Sequence, residues 1–213
     1  MSCSKRIIIF VKAPVPGKVK TRLVPALSYE NAAELYRAWA REVFLLASRL
    51  KDTYVEIAYD RHPQFPTPDW LCNGGKHPDY FLQSHGILGH RLTYAFSRAF
   101  TNGARQAMIL GSDSPGLPLN YLLKAFDYLK CHDLVLGPSY DGGYYLIGLR
   151  GSLRPELFQN ISWSSSQVLS QTLNAVNQIG LSHALLPKYF DIDTFQDLAL
   201  YNALCGDCSK DTW

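Results

Sequence analysis

No run of apolar residues approaches the ~18 that a membrane-spanning helix needs, although 47% of the 213 residues are hydrophobic. Charge is scarce too: Asp, Glu, Lys and Arg make up 18% of the chain, below the usual ~25%. The apolar content is nevertheless that of a folded domain, which excludes wholesale disorder. Cysteines number five, odd and scattered, which argues against a disulfide framework. Cys205 and Cys208 form one C-x-x-C, with no second pair to complete a zinc site. Repeats and low-complexity tracts are absent. The G-x-x-x-x-G-K-[ST] phosphate loop and the G-x-G-x-x-G dinucleotide fingerprint are absent as well. There is no basic stripe of the kind nucleic-acid binders carry, and the net charge is only +3. The run Ile7–Val11 is too short for a signal-peptide core and reads as a buried strand. These absences lead to an expected cytoplasmic protein with a small anionic partner, no nucleic acid and no membrane span.

The length suits one domain with a sizeable core, expected over residues 1–204 with a tail at 205–213. Short β-branched runs alternate with amphipathic stretches. Strands are expected at Arg6–Val11, Thr53–Tyr59, Tyr80–Gln83, Ala107–Leu110, Leu134–Gly137, Tyr144–Leu149 and Ala184–Pro187. Helices are expected from a Ser28 cap to about Leu50, over Leu88–Phe100, Pro118–Lys130 and Ser164–Ile179, and from near Asp193. Ser164 with Gln167, and Asp193 with Gln196, have the capping-box spacing. The alternation predicts an α/β/α sandwich on a mostly parallel sheet. In such sheets ligands bind beyond the carboxyl ends of the strands.

Chemistry-bearing residues follow the strands. After the first comes Lys12-Ala13-Pro14-Val15-Pro16-Gly17-Lys18-Val19-Lys20-Thr21-Arg22. Pro14, Pro16 and Gly17 shape a stiff loop. Lys12, Lys18, Lys20 and Arg22 offer point charges and a planar fork for phosphate oxygens. After Met108-Ile109-Leu110 comes Gly111-Ser112-Asp113-Ser114-Pro115, where Asp113 either holds Mg²⁺ or Mn²⁺ or makes a local Asx-turn. In Gly137–Gly148, Asp141-Gly142 is a hairpin signal. Gly142 and Gly143 also permit close approach of a ligand to the backbone. Tyr144 offers a ring to a sugar or base, and Asp141 an exposed carboxylate. In Asp191-Ile192-Asp193 the two carboxylates share a face in extended chain and can share a cation, although Asp193 also suits a helix cap. Arg91, at a helix start, reaches toward an anion. Trp163 is a contact at a helix entry or the flank of an acceptor pocket.

In order, F-x-K-x-P-x-P-G-x-x-K-T-R-L, G-x-L-G-x-R, G-S-D-x-P, G-P-x-x-D-G-G-Y-Y-L-I-G-L, W-S-x-x-x-V-L and D-I-D-T-x-x-D-L run from about Ile7 to Leu198. The set resembles the small bacterial nucleotide-diphospho-sugar transferase-like proteins. Some of these are known as radical-SAM/selenodomain-associated transferases, and some are assigned to arsenosugar biosynthesis. The resemblance implies a GT-A fold that binds a nucleotide-sugar donor with a divalent metal, Mg²⁺ or Mn²⁺. Many relatives carry G-D-L-G where this chain has Gly86-Ile87-Leu88-Gly89, so an acid is missing at Ile87.

The expected activity is sugar transfer from a nucleotide-diphospho-sugar to a small acceptor. Lys12, Pro14, Gly17, Lys18, Lys20, Arg22, Arg91 and Asp113 would bind nucleotide, and Asp113, Asp191 and Asp193 the metal. Asp141, Gly142, Gly143, Tyr144 and Trp163 would meet the substrate, with Asp141 as the candidate general base. Two alternatives stand. The K-T-R-L and D-x-D-T-x-x-D-L elements also look like those of guanylyltransferases acting on small phosphorylated acids. The loss at Ile87 is compatible with a catalytically silent nucleotide-binding module.

Overall fold

The computed structural model describes residues 4–24, 26–72 and 77–205. Among the described residues, seven strands form one sheet: β1 (Lys5–Lys12), β2 (Thr53–Asp60), β3 (Asp79–Leu82), β4 (Gln106–Gly111), β5 (Leu134–Pro138), β6 (Tyr144–Arg150) and β7 (His183–Leu185). Their order is β3-β2-β1-β4-β6-β5-β7. β1 pairs in parallel with β2 and β4, β2 with β3, and β5 with β7. β6 alone runs antiparallel, between β4 and β5. It does so because Ser139–Gly143 is a hairpin connection, as Asp141-Gly142 predicts.

Successive residues of β1 point to opposite faces, and both faces are covered. Ile7, Ile9 and Val11 pack with α1 (Tyr29–Ser48) and α3 (Leu119–Tyr128). Ile8 packs with α2 (Leu88–Thr101) and α4 (Val168–Gln178). The α1 stripe Tyr36, Ala40, Val43 and Ala47 is buried. Its N-cap Ser28 accepts the Asn31 N–H at 3.1 Å, which satisfies one of the first-turn donors. On the other face Phe96 stacks on Phe100 and Phe158, with centroids at 6.2 and 6.0 Å. Truncating a fully buried ring of this kind costs about 3–5 kcal/mol. The layers are those of an α/β/α sandwich.

Two capping expectations need correction. α4 begins at Val168, not at Ser164. Ser164 instead takes a left-handed φ of 63°, and the Gln167 N–H goes to Ser165 Oγ at 3.3 Å. The last helix, α5 (Phe195–Cys205), is capped by Thr194 and Asp197 rather than by Asp193 and Gln196. Thr194 Oγ accepts the Asp197 N–H at 3.2 Å, while Asp197 accepts from the Thr194 N–H at 2.7 Å. That reciprocal pair leaves Asp193 free for other partners. The remaining tail and Cys208 lie outside the described residues. No helix among the described residues is long and apolar enough to cross a membrane.

Candidate functional site

β1 is the switch point of the sheet: the chain returns beside it as β2 on one side and β4 on the other. A cavity of about 590 Å³ opens beyond the carboxyl ends of β1 and β4, where such sheets bind ligands.

Packing brings distant segments to it. The loop after β1 folds on itself through Val15 N–H to Ala13 O and Lys18 N–H to Val15 O bonds, at 2.8 and 2.9 Å. Gly17 supplies a φ of 75° that the loop needs. The chain then enters a 3-10 turn, Thr21–Leu23. Leu23 is fully buried with Ala32, Trp39, Phe190 and Ile192. Ile192 also donates its N–H to the Asp113 carbonyl at 3.0 Å. With Ile192 turned into the core, Asp191 and Asp193 turn the other way, into the cavity.

Lys12, Lys18 and Arg22 are exposed on the cavity wall. Of the four loop cations, Lys20 and Arg22 form ion pairs; among the described residues Lys12 and Lys18 form none. Arg22 holds Asp193 Oδ2 at 2.9 Å. Lys20 departs from its expected role, because its ammonium turns inward. It donates to the Ile192 carbonyl at 2.5 Å and faces Asp113 Oδ1 at 3.1 Å and Asp193 Oδ1 at 3.7 Å. Burial alone would lower its pKa, but the charges of Asp113, Asp191 and Asp193 outweigh it and raise the value. Asp113 thus engages Lys20 instead of closing an Asx-turn. Burial first, and then the Asp113 charge, push the Asp191 carboxyl up to about 7.

Tyr36 was legible only as part of the α1 apolar stripe, yet it forms the cavity floor. Its hydroxyl accepts the Lys12 N–H at 2.8 Å and shares a hydrogen bond with Ser112 Oγ at 3.1 Å. Burial, helped by the nearby Asp113 charge, pushes this phenol well above its usual range. A tyrosine in a core stripe buries its ring and still needs a partner for its polar end. That requirement is the only sequence signal for Tyr36.

Arg91 lines the cavity but is occupied. It donates to Asp60 at 3.2 Å, to Gln83 Oε1 at 3.1 Å and to the Gly86 carbonyl at 3.1 Å. Tyr144 also lines the cavity. Pro14, Gly17, Asp141, Gly142, Gly143 and Trp163 do not line it. Asp141 accepts from the Ser139 hydroxyl and, at 2.9 Å, from the Gly143 N–H. At Gly142 the close approach is made by protein rather than ligand: a Cβ there would lie 2.3 Å from the Ser166 carbonyl oxygen. Trp163 packs over Gly89, where a Cβ would meet its Nε1 at 3.0 Å. Ile87 is the N-cap of α2 and offers no side-chain bond; it sits between Gly86 and Leu88, which line the cavity.

Among the described residues, four non-glycine residues have positive φ. Asp52 and Asn160 are of types that tolerate it; Lys20, at 48°, and Ser164, at 63°, are less so. Both of the latter line the cavity, and such strain gathers at functional sites.

The carboxylates nominated for a metal do not form a ready cage. Among the described residues no group of three or more His, Cys, Asp and Glu side chains is placed to hold an ion. An ammonium stands between Asp113 and Asp193, and the second Asp193 oxygen is taken by Arg22.

Fold and cavity together define a GT-A-like α/β/α protein with a cation-walled hollow at the carboxyl ends of its strands. The chain belongs to the DUF2064 family, described as uncharacterized proteins conserved in bacteria, whose model matches residues 45–165. It is 34% identical to a candidate nucleotide-diphospho-sugar transferase from Desulfovibrio desulfuricans G20, with 97% of this chain and 89% of that one covered and a TM-score of 0.88. The fold is shared with 4-diphosphocytidyl-2C-methyl-D-erythritol synthase from Anaerococcus prevotii, at 11% identity, 95% and 97% coverage and a TM-score of 0.62. It is also shared with CMP:2-keto-3-deoxy-manno-octonic acid synthetase in complex with CTP, at 13% identity, 96% and 99% coverage and a TM-score of 0.56. No curated protein matches the chain.

Proposed function

We propose that the chain is a transferase acting on a nucleotide-diphospho-sugar, and that it passes the sugar to a small acceptor. The observation that carries this reading is the wall formed by Lys12, Lys18 and Arg22 on a cavity at the sheet's switch point. The 34% identical relative from Desulfovibrio desulfuricans supports it. In this reading the three cations grip the diphosphate and stabilise its charge as the bond to the anomeric carbon breaks. The acceptor oxygen attacks that carbon, and its proton passes to a carboxylate. Asp191 suits that task better than Asp141. It lines the cavity, and its raised pKa lies near neutrality, where a general base is most effective.

The test is a screen of UDP-, GDP-, ADP- and dTDP-sugars for binding and slow hydrolysis. At least one should bind and turn over. Lys18→Ala should weaken its binding by about tenfold without loss of fold, the loss of one charge-assisted contact. Failure of the folded protein to bind any of the four overturns the proposal. Pyrophosphate release from a nucleoside triphosphate with a phosphorylated acid would assign nucleotidylyl transfer instead. Tight binding without turnover across a broad acceptor screen would assign a binding module.

A further inference from the structure

The inner end of the cavity is crowded with negative charge. Asp113, Asp191 and Asp193 line it together, and Asp113 Oδ1 and Asp193 Oδ1 lie within 4 Å of one ammonium. Carboxylates gathered in this way call for a cation, and Lys20 supplies one. Its ammonium donates to the Ile192 carbonyl at 2.5 Å and is ion-paired with Asp113 Oδ1 at 3.1 Å and Asp193 Oδ1 at 3.7 Å. Residue 20 is 8% exposed, and its backbone sits in the left-handed region, at φ 48° and ψ 36°. Such strain in a lysine persists only where the surroundings over-determine it. Here Leu23 on one side and Ile192 on the other are core residues of a single cluster. They fix the 3-10 turn against the segment from Phe190 to Asp193. Nothing in this arrangement leaves Lys20 pointing at a phosphate.

We propose that Lys20 is the resident cation of this site: its ammonium fills the place among Asp113, Asp191 and Asp193 that a divalent ion would take. Diphosphate binding here is therefore independent of added metal. An ion the size of Mg²⁺ binds carboxylate oxygens at about 2.0–2.1 Å, so at Asp113 Oδ1 it competes with the ammonium 3.1 Å away. The lysine keeps the carboxylates from repelling the donor, while Lys12, Lys18 and Arg22 contact it. The nucleotide half of this proposal rests on the diphosphate reading above; the metal half does not.

The experiment therefore has two arms. In the first, Mn²⁺ alone is titrated by electron paramagnetic resonance into wild-type protein, Lys20→Met and Lys20→Arg. Wild type and K20R should leave Mn²⁺ free. K20M, with its carboxylates uncompensated, should bind Mn²⁺ at least about tenfold more tightly than wild type. Tight Mn²⁺ binding by wild type that disappears in Asp113→Ala overturns the proposal, as does equal binding by wild type and folded K20M. Should K20M fail to fold, the wild-type titration decides. In the second arm, UDP and GDP are titrated calorimetrically in EDTA and in Mn²⁺. Equal affinities support metal independence, and a gain of about tenfold in Mn²⁺ overturns it. If neither nucleotide binds, the diphosphate reading fails while the Mn²⁺ arm still tests Lys20.

Discussion

Two charge clusters are buried in this fold, one around Glu56 on β2 and one around Lys20 beyond β1. At Glu56, two arginines face one carboxylate. Arg98 holds Oε1 at 2.8 Å and Arg6 stands 3.6 Å from Oε2. Each guanidinium also lies over a ring, Arg6 over Tyr54 at 4.5 Å and Arg98 over Phe81 at 4.6 Å. The cations are held by flat, well-packed contacts, and none of these residues lines the large cavity. At Lys20 the balance is reversed: one ammonium faces several carboxylates, the backbone is strained, and the cluster opens on about 590 Å³ of space. Burial of charge alone therefore does not mark a site. Excess of one sign, strain and an adjoining hollow do so together.

The most disruptive way to press this contrast is Glu56→Ala. Removing the buried carboxylate leaves Arg6 and the part-exposed Arg98 without their partner and should cost about 3 kcal/mol, the low end for a buried pair, read from urea unfolding. Nucleotide affinity per folded molecule should not change. A folded E56A protein that has lost nucleotide binding would dissolve the distinction between the clusters.

Asp191→Asn should come next. The Asp191 pKa rises from the ordinary 3.8 to about 7 on folding, so the folded state holds a proton that the unfolded state releases. Stability from this group is thus greatest below pH 4 and falls as pH rises to about 7. D191N should remove that component of the fall, measured as the difference between denaturation midpoints at pH 5 and pH 8. An unchanged difference would show that Asp191 is ionised throughout.

The smallest effect is expected at the start of α2. Ile87→Asp gives α2 the side-chain cap it lacks and should raise stability by about 0.5–1 kcal/mol in a thermal melt. A drop would mean that the exposed Ile87 side chain has an apolar partner of its own.

Much of the scaffold was legible in the sequence because its signals are local. The β1 run, the Ser28 cap and the hairpin at Asp141-Gly142 depend on neighbours a few residues away. The common face of Asp191 and Asp193 follows from strand geometry in the same way. Cap choice was harder. Ser164, Ser165, Asp193 and Thr194 are all competent cap types, and only the tertiary path selects among them. The direction of Lys20 was beyond reach. Its carbonyl partner is 172 positions away, and a basic loop looks the same whether its lysines face phosphate or carboxylate. Tyr36 was hidden for the opposite reason, since its ring satisfies the core pattern and its hydroxyl serves the cavity. Gly142 carried a real close-approach signal, but the approaching backbone is that of Ser166.

A crystal structure with UDP or GDP bound, collected in EDTA, would test the role of the cavity most directly. The expected result is a diphosphate within hydrogen-bonding distance of Lys12, Lys18 or Arg22 beyond β1 and β4, with the Lys20 ammonium still between Asp113 and Asp193. A nucleotide bound elsewhere, or a diphosphate turned away from all three exposed cations, would contradict it.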